Sequence, residues 1–453
     1  MIKDFRREIG EVWCDNLKVE VAHPETMRLI MTAPQDGGPA LGQASLRPHK
    51  LPTNSAGQQL YLLDLANGLD GDKAEESKLH TQMRTLMFKY LITAGSVKRQ
   101  STTDPVTAKL FSDLRGTVRG RHASLPKDGS RKWTKSKDGV PGFILKYMHY
   151  VLFGLDLSAE QFDALWDLYY NPGPGLDESS FILNLQAYAG AMLEYLTCDK
   201  NLRQLPSRTE QAIDLYVTAP VMQSYDDLQE PLTKRDFLKA MTTILGLAAL
   251  QGPLGAASHI LANYKGYIPE DYAWEFGDRN QIRLGVLEAM RMQPAVFGSG
   301  LVAPKPLRCP FAAASSQGNS NSGDGQKQSA AVIFPANTPV HLNFVAMNWD
   351  KAVWGEDADK FDPTAHAANL ATKGGCPYPN FNSWGGIDGD GDDDDDDAIE
   401  ADRAKSADAD HGRECPGKTL SVKMLVDLVE LVLNPGPMPP GAALAAAASM
   451  RRD

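Results

Sequence analysis

A cysteine placed directly before a helix is the residue of this sequence best suited to metal chemistry. Cys415 stands in the stretch 411–418, which reads His-Gly-Arg-Glu-Cys-Pro-Gly-Lys, and apolar residues at helical spacing follow over 420–432. A helix N-terminus favours the thiolate form, because it offers unpaired N–H groups and the positive end of the helix dipole. Arg413 adds a cation that can hold an anionic group beside the sulfur. The alternative interpretation is a buried structural cysteine.

Two further pairs of residues at helical spacing lie upstream of this cysteine. His80 and Arg84 are four residues apart on a predicted helix, so both side chains can point the same way. Glu288 and Arg291 are three residues apart near the end of another predicted helix, a spacing that suits a buried bidentate ion pair. Surface neighbours and an ordinary ion pair of small energy are the alternatives. The segment 361–363, Phe-Asp-Pro, stands between these pairs and the cysteine.

In this order and spacing the four features resemble the cytochrome P-450 superfamily of haem-thiolate enzymes. The resemblance implies a fold that is mainly α with small β-sheets, the cytochrome P-450 fold, and one non-covalent haem b. A haem-thiolate centre uses a soft axial sulfur and cations for the haem propionates, and Cys415 matches the thiolate ligand of the iron. The resemblance also assigns haem-binding positions and a structural pair that braces the cysteine loop: His80, Arg84, Arg413 and Gly252 for the haem, and Glu288 and Arg291 for the pair.

Residues 240–262 contain no Asp, Glu, Lys or Arg. We interpret them as a long helix buried in a large protein, not as a membrane span, and they match the helix that crosses above the haem in this superfamily. Oxygen-activating members carry an acid–threonine pair there. Leu254 and Gly255 stand at those two positions, and neither delivers a proton. Pro253 is expected to kink the helix. The side chains expected to line an apolar pocket are Leu247, Leu250, Leu254 and Ile260.

Three functional hypotheses follow from these departures. An extended cysteine loop is similar to that of allene oxide synthases and hydroperoxide lyases, so the favoured hypothesis is a haem-thiolate oxidoreductase acting on an apolar substrate, a fatty acid or its hydroperoxide, in a peroxide-driven reaction. The second is a conventional reductase-dependent monooxygenase, in which Gln251 or an ordered water relays protons. The third is a degenerate haem-binding protein without catalysis, because the segment 363–366 lacks the arginine that usually joins the Glu–Arg pair.

Composition limits the class of protein and its partners. The chain has 453 residues, 42% of them hydrophobic, and a net charge of −11, which makes nucleic acid an unsuitable partner. Five scattered cysteines form neither a zinc motif nor a disulfide framework. The N-terminal residues show no pattern that predicts a signal peptide or a membrane anchor, and we expect a cytoplasmic or peripheral membrane protein that is not secreted. Its expected partners are an apolar small molecule and, for a monooxygenase, a redox partner.

The chain is expected to form one domain over 1–453. Low-complexity insertions are predicted at 312–330 and 386–410, and a disordered tail at 436–453. Alternate aspartates in the acidic run resemble the start of a calcium loop, but a solvated loop fits better, since Asp393 stands where glycine is needed. Both ends look short for the superfamily, so an incomplete chain and one module of a larger polypeptide, with a fusion domain outside it, remain the alternatives.

Hydrophobic periodicity and breakers predict the remaining elements. The basic stretch 113–139 is interpreted as a solvated loop, with a docking patch as the alternative. A capping box of Ser158 and Gln161 is expected to begin one helix. The elements expected are a strand pair over 11–21, a strand–turn–strand over 332–340, and helices over 23–31, 75–93, 142–155, 158–170, 178–197, 207–217, 233–262, 269–276, 279–292 and 343–348.

Overall fold

The chain divides into two compact units. Unit 1 comprises Met1–Phe88, Val296–Lys360 and His366–Pro416, and unit 2 comprises Lys89–Ala295, Phe361–Ala365 and Gly417–Asp453. The expected single domain stays a prediction, and its two insertions and its tail lie outside the described residues. The computed structural model describes residues 12–14, 19–21, 34–35, 38–40, 74–122, 137–169, 206–225, 232–263, 266–295, 298–302, 307–308, 333–334, 339–367, 415 and 417–434.

Four short strands of unit 1 form a mixed sheet. Strand β1 (Val12–Cys14) pairs antiparallel with β2 (Val19–Val21), as the sequence predicts. Strand β2 lies parallel to β8 (Pro339–Asn343), with Val19 opposite Val340, and β8 pairs antiparallel with β5 (Gly298–Val302). A parallel pair needs a long crossover, so this sheet joins segments that are more than 300 residues apart in sequence.

Two further strand pairs complete the described β-structure. The prediction of a strand, a turn and a strand over 332–340 is only partly confirmed, because β7 and β8 form but do not pair with each other. Strand β7 pairs with β6, and β8 joins the four-stranded sheet. The two-stranded pairs are β3 (Pro34–Gln35) with β4 (Gly38–Ala40), and β6 (Leu307–Arg308) with β7 (Ile333–Phe334).

Helices dominate the described residues, which confirms the expected fold class of mainly α structure with small sheets. The helices expected at 23–31 and 178–197 lie outside the described residues. The helices are α1 (Ala74–Leu86), α2 (Ala94–Arg99), α3 (Pro105–His122), α4 (Val140–Phe153), α5 (Ala159–Tyr169), α6 (Pro206–Val217), α7 (Lys234–Ile244), α8 (Gly252–Ala262), α9 (Arg279–Met292), α10 (Phe344–Asn348), α11 (Lys351–Trp354) and α12 (Lys418–Leu428). Wider π-helical turns cover Met87–Leu91, Leu245–Gln251 and Val429–Leu433, and a 3₁₀ turn covers Pro220–Met222.

Local sequence explains where several helices begin and end. The expected capping box at α5 is confirmed: the Ser158 amide donates to Gln161 Oε1 at 2.9 Å, and the Gln161 amide donates to Ser158 Oγ at 3.3 Å. Asp278 caps α9 by accepting from the amides of the first turn. Gly154 ends α4 with φ of +70°, a left-handed conformation that glycine adopts without a steric penalty.

The core of unit 2 is built around α4. This helix is apolar on nearly all sides, and its side chains from Val140 to Phe153 are buried apart from a few positions. Phe143 and Tyr147 pack with Phe111 of α3 at ring-centroid distances of 4.8 and 5.9 Å. A helix that is hydrophobic all round belongs inside a large protein, and burial of such aromatic side chains supplies much of the driving force for folding.

The apolar window 240–262 forms one continuous helical run: α7, the π-helical turn Leu245–Gln251 and α8. Proline at 253 has no N–H, so the carbonyl of Ala249 loses its usual donor four residues later, and the helix widens just before that point. A π-helical segment thus precedes Pro253, and the kink expected at this proline stays a prediction. No described helix is both long enough and apolar enough to cross a membrane.

Two predictions about local structure are wrong. Residues 269–276 are not helical, because Pro269 starts a turn and the aromatic side chains that follow pack separately. The ring centroid of Tyr272 lies 5.1 Å from that of Trp274 and 4.9 Å from that of Phe361. Residues 113–122 were predicted to lie in a solvated loop, but they form the last turns of α3. Arg115 in this stretch donates from Nε to the Leu431 carbonyl at 2.9 Å.

Gly285 on α9 provides a test of this packing. An added Cβ there would lie 2.7 Å from Trp274 Cζ3 and 3.0 Å from the Tyr272 hydroxyl. We expect Gly285→Ala to lower the free energy of unfolding by about 1–3 kcal/mol, because overpacking outweighs the gain in helix propensity. Gly116→Ala on α3 is the matched control. No atom lies within 4 Å of its added Cβ, so stability should stay equal or rise by up to about 1 kcal/mol. Urea unfolding followed by circular dichroism measures both. A Gly285→Ala protein as stable as the parent would contradict the packing described.

Candidate functional site

Cys415 lies directly before α12, as the sequence predicts. The residue is half-buried and its sulfur is in no disulfide. Gly417 caps the helix without a side-chain hydrogen bond, and α12 begins at Lys418. The first turn of a helix presents unpaired amides, which favour a thiolate. Cys415 is thus partly accessible, unlike a fully buried core cysteine, and its role as a metal ligand stays a prediction.

Side chains from three other helices of unit 2 hold α12 and the π-helical turn after it. Gln100 donates from Nε2 to the Leu420 carbonyl at 2.6 Å. Arg279 donates to Asp427 Oδ1 at 2.8 Å and to Glu430 Oε2 at 2.6 Å. Together with Arg115, which caps the Leu431 carbonyl, these contacts hold the helix at its start, middle and end. Sequence analysis did not identify these residues, because each contact joins segments 148 or more residues apart.

The environment of Asp427 shows how tightly this helix is packed. Its side chain is 1% exposed. Burial raises the pKa of its carboxyl, and the charges of Lys423 and Arg279 only partly offset that effect. Burial acts on Arg279 in the opposite sense, but the hydrogen bond and charge of Asp427 outweigh it, and the pKa of the guanidinium is raised. Because Arg279 is about half exposed, the pair ties α9 to α12 without two fully desolvated charges.

His80 and Arg84 lie on one face of α1 in unit 1, as their spacing predicts. His80 is 2% exposed and Arg84 is 6% exposed, and the guanidinium carbon of Arg84 lies 5.8 Å from the Phe88 ring centroid. Groups of this kind are rarely buried unless hydrogen bonds or charges compensate them. Two buried basic side chains one turn apart are a suitable donor set for carboxylates, so they fit the propionates of a haem.

Glu288 and Arg291 form the expected buried ion pair at the end of α9. Both residues are 0% exposed. Arg291 donates from Nε to Glu288 Oε2 and from Nη2 to Glu288 Oε1, each at 2.7 Å, which is the bidentate geometry of a strong pair. The segment 363–366 contributes no arginine, but the backbone amide of Asp362 donates to Glu288 Oε1 at 3.0 Å. A main-chain donor thus adds to the hydrogen bonds that Arg291 gives this carboxylate.

The long helix of unit 2 presents small residues on one accessible face. Ala248, Gly252 and Gly255, spaced at helical intervals, are exposed or half-buried, and an added Cβ at Gly252 would meet no atom within 4 Å. This face is suited to the close approach of a flat group, and the predicted haem-binding role of Gly252 fits it. By contrast, Leu250, Leu254 and Ile260 are buried, at 0–3% exposure.

Several predicted positions have no described side chain. Arg413 and the acidic run fall outside the described residues, and the side chains of Leu247 and Gln251 are not described. Their predicted roles stay predictions, as does the apolar pocket assigned to this helix. Among the residues that the structure does describe, no group of three or more His, Cys, Asp and Glu side chains is arranged to hold a metal ion.

Solved structures of cytochromes P-450 match this chain over nearly its whole length. A variant of cytochrome P-450SP alpha (CYP152B1) has a TM-score of 0.52 at 13% sequence identity, with 96% of this chain and 88% of that chain covered. The chain has the cytochrome P-450 fold. CYP109B1 from Bacillus subtilis has a TM-score of 0.53 at 13% sequence identity, with 95% of this chain and 90% of that chain covered. Substrate-free CYP109E1 from Bacillus megaterium has a TM-score of 0.52 at 13% sequence identity, with 95% of this chain and 89% of that chain covered.

At this identity the likeness concerns the cytochrome P-450 fold, and the resemblance inferred from the motifs is confirmed at that level. No protein-family model matches the sequence, and no curated protein matches it either. The four features that carried the resemblance are thus weak as sequence signals but are present in the expected fold.

The buried Glu288–Arg291 pair gives a test of the bracing role. We expect Glu288→Gln to lower the free energy of unfolding by about 3–5 kcal/mol, because Arg291 keeps its charge and loses its buried partner. Glu430→Gln is the matched control, since Glu430 pairs with the half-exposed Arg279, and its change should stay within about 1 kcal/mol. Urea denaturation of both variants measures the difference. Equal effects in the two variants would show that the 288–291 pair is not an essential brace.

Proposed function

We propose that this protein is a haem-thiolate oxidoreductase of cytochrome P-450 type that acts on an apolar substrate, a fatty acid or a fatty-acid hydroperoxide. The observation that carries the proposal is Cys415: a half-buried thiol directly before a helix that three other helices hold in place, in a chain with the cytochrome P-450 fold. A structural cysteine in a closed core would have no reason to stay accessible at a helix N-terminus.

The donor set of the chain supports haem b as the cofactor. Cys415 would supply the axial thiolate, and the buried bases His80 and Arg84, with Arg413, would hold the propionates. Gly252 would give the porphyrin room on the long helix. When bound, haem with an axial thiolate supplies a redox-active iron whose ligand pushes electron density toward the metal and favours scission of an O–O bond.

The side chains of the long helix favour a peroxide as the oxidising substrate. Activation of dioxygen consumes protons, and the described side chains of α7 and α8 carry an acid only at Asp236, in the first turn. Leu254 is buried and aliphatic, and Gly255 has no side chain, so neither can act as a general acid. A hydroperoxide brings its own O–O bond and needs neither a reductase nor an external source of electrons. The apolar side chains of this helix would exclude water from such a substrate.

The role of Cys415 can be tested by spectroscopy. We expect the reduced, haem-loaded protein to give a thiolate-type carbon monoxide spectrum, because a thiolate ligand shifts the absorption of the complex. Cys415→Ser should abolish this spectrum, while Cys198→Ser, the matched control at a cysteine with no assigned role, should retain it. A spectrum unchanged in Cys415→Ser would refute the ligand assignment. Failure of the parent protein to give the spectrum with haem would favour a degenerate protein.

The reaction class can be tested with a polyunsaturated fatty-acid hydroperoxide, in the absence of reductase and oxygen. We expect loss of the conjugated diene and formation of rearranged or cleaved products, with the rate reduced by about 10³-fold or more in Cys415→Ala, since the O–O cleavage depends on the thiolate. No turnover by a protein that has an intact thiolate spectrum would favour the second candidate, a monooxygenase that requires a reductase and a nicotinamide cofactor.

A further inference from the structure

A chain of hydrogen-bonded polar side chains lies inside the helical core of unit 2, and none of them belongs to the proposed haem-binding set. His149 of α4, Tyr169 of α5 and Tyr216 of α6 are each 0% exposed. The Tyr216 hydroxyl lies 2.7 Å from His149 Nε2 and 3.0 Å from the Tyr169 hydroxyl. Buried polar groups are costly unless they are satisfied, so a histidine and two tyrosines at one place in an apolar core require an explanation.

The hydrogen-bond partners determine where the protons lie. His149 Nδ1 is 2.7 Å from the Leu145 carbonyl, which can only accept, so Nδ1 carries the hydrogen. Burial lowers the pKa of His149 to about 4, so the ring is neutral near pH 7 and its Nε2 has a free lone pair. The Tyr216 hydroxyl then donates to Nε2, and the Tyr169 hydroxyl donates to the Tyr216 oxygen. Burial raises the pKa of both phenols, which keeps them protonated.

We propose that Tyr216 and His149 form a proton-coupled redox pair. A one-electron oxidant takes one electron from Tyr216 and is itself reduced by one electron. The phenolic O–H bond breaks, the proton moves 2.7 Å to His149 Nε2, and a new N–H bond forms. The products are a neutral tyrosyl radical and an imidazolium that still donates from Nδ1 to the Leu145 carbonyl. Re-reduction by one electron returns the proton to the phenol.

The chemistry of phenols explains why the neighbouring base matters. A phenol that has lost an electron is a very strong acid, so its oxidation is much easier when a base within hydrogen-bond distance takes the proton. Neutral imidazole is such a base. Tyr147 on the same helix is a useful contrast: its ring is also fully buried, but it packs against Phe143 and Phe111 and has no imidazole partner.

The surroundings of the pair keep the proton in place. The Phe153 ring stacks on Tyr216 with centroids 4.5 Å apart and an interplanar angle of 11°. With Nδ1 bonded to a carbonyl and the Tyr216 oxygen bonded to Tyr169, both ends of the pair are occupied by protein groups. The proton therefore stays on His149 until an electron returns, and the hydrogen bond from Tyr169 stabilises the radical oxygen. Such a site suits temporary storage of an oxidising equivalent.

The biological oxidant in this scheme is an oxidised haem protein produced by peroxide, so this role rests on the proposed function. The redox activity of the Tyr216–His149 pair itself does not depend on the proposed function. A purely structural network would satisfy the same buried groups, but it would not decide which tyrosine of the chain is oxidised. The test must therefore locate the radical and not only measure stability.

The first experiment oxidises the full chain with photogenerated tris(bipyridine)ruthenium(III) and traps the product by freezing for electron paramagnetic resonance. Ring-deuterated tyrosine distinguishes tyrosyl from tryptophanyl radicals. We expect a tyrosyl signal in the parent protein and in Tyr147→Phe, the buried control, and its loss in Tyr216→Phe. Circular dichroism checks that each variant is folded. A signal that survives in folded Tyr216→Phe, or that disappears in Tyr150→Phe, whose phenol donates to Asp104 at 3.0 Å, would overturn the proposal.

A second variant tests the role of the base without removing the phenol. Glutamine at position 149 can still accept from Tyr216 and donate to the Leu145 carbonyl, but an amide is not a base. We expect His149→Gln to lower the yield of the radical by about tenfold or more. An unchanged yield would mean that the network is only structural. His149→Gln also tests the proposal if Tyr216→Phe does not fold.

Oxidation of Tyr216 through haem is tested separately. Hydrogen peroxide is added to the haem-loaded protein in the absence of substrate. We expect the same radical, again absent in folded Tyr216→Phe. If ruthenium produces the radical and peroxide does not, the redox pair stands but its coupling to haem is refuted. If the carbon monoxide spectrum shows no thiolate ligation, the proposed function fails while the ruthenium result remains valid.

Discussion

The position of the last helix depends on donors that other helices of unit 2 provide. An α-helix leaves its final carbonyls without partners, and Pro435 has no N–H with which a longer helix could serve Leu431. Arg115 donates to that carbonyl instead and brings a positive charge to the negative end of the helix. With Gln100 at the first turn and Arg279 in the middle, the helix is fixed along its length. Cys415, the candidate ligand, stands three residues before this helix in the sequence.

A main-chain amide completes the buried ion pair of α9. The related enzymes that the motifs suggested usually join the Glu–Arg pair with a second arginine, and here the Asp362 amide donates to Glu288 at 3.0 Å. An amide carries no charge, so Glu288 and Arg291 remain a neutral pair in a site that excludes water. The absence of an arginine from 363–366 was one reason to consider a degenerate protein. The amide removes that reason for the part of the brace that is described.

Sequence patterns predicted the elements better than their contacts. Helices with strong periodicity and clear caps, such as α5 with Ser158 and Gln161, were predicted to within a few residues, because their signals are local. Residues 269–276 were misjudged because their aromatic side chains pack against one another and against Phe361 instead of along a helix. The basic stretch after residue 113 was misjudged because its charges hid the continuation of a helix. Strand partners and the contacts of Arg115 could not be read from the sequence, since the segments that meet are far apart along the chain.

The long helix connects the fold to the proposed chemistry. Its lack of acids after Asp236 was readable from the sequence, but the accessible face of Ala248, Gly252 and Gly255 and the π-helical turn before them required the structure. The two properties act together. Small residues allow a flat cofactor to approach the helix, and the aliphatic Leu254 beside them supplies no proton. A hydroperoxide already contains an O–O bond and carries its own proton, so its activation does not require a proton from this helix. Under the proposed function, this is the reason to favour a hydroperoxide over dioxygen as the oxidising substrate.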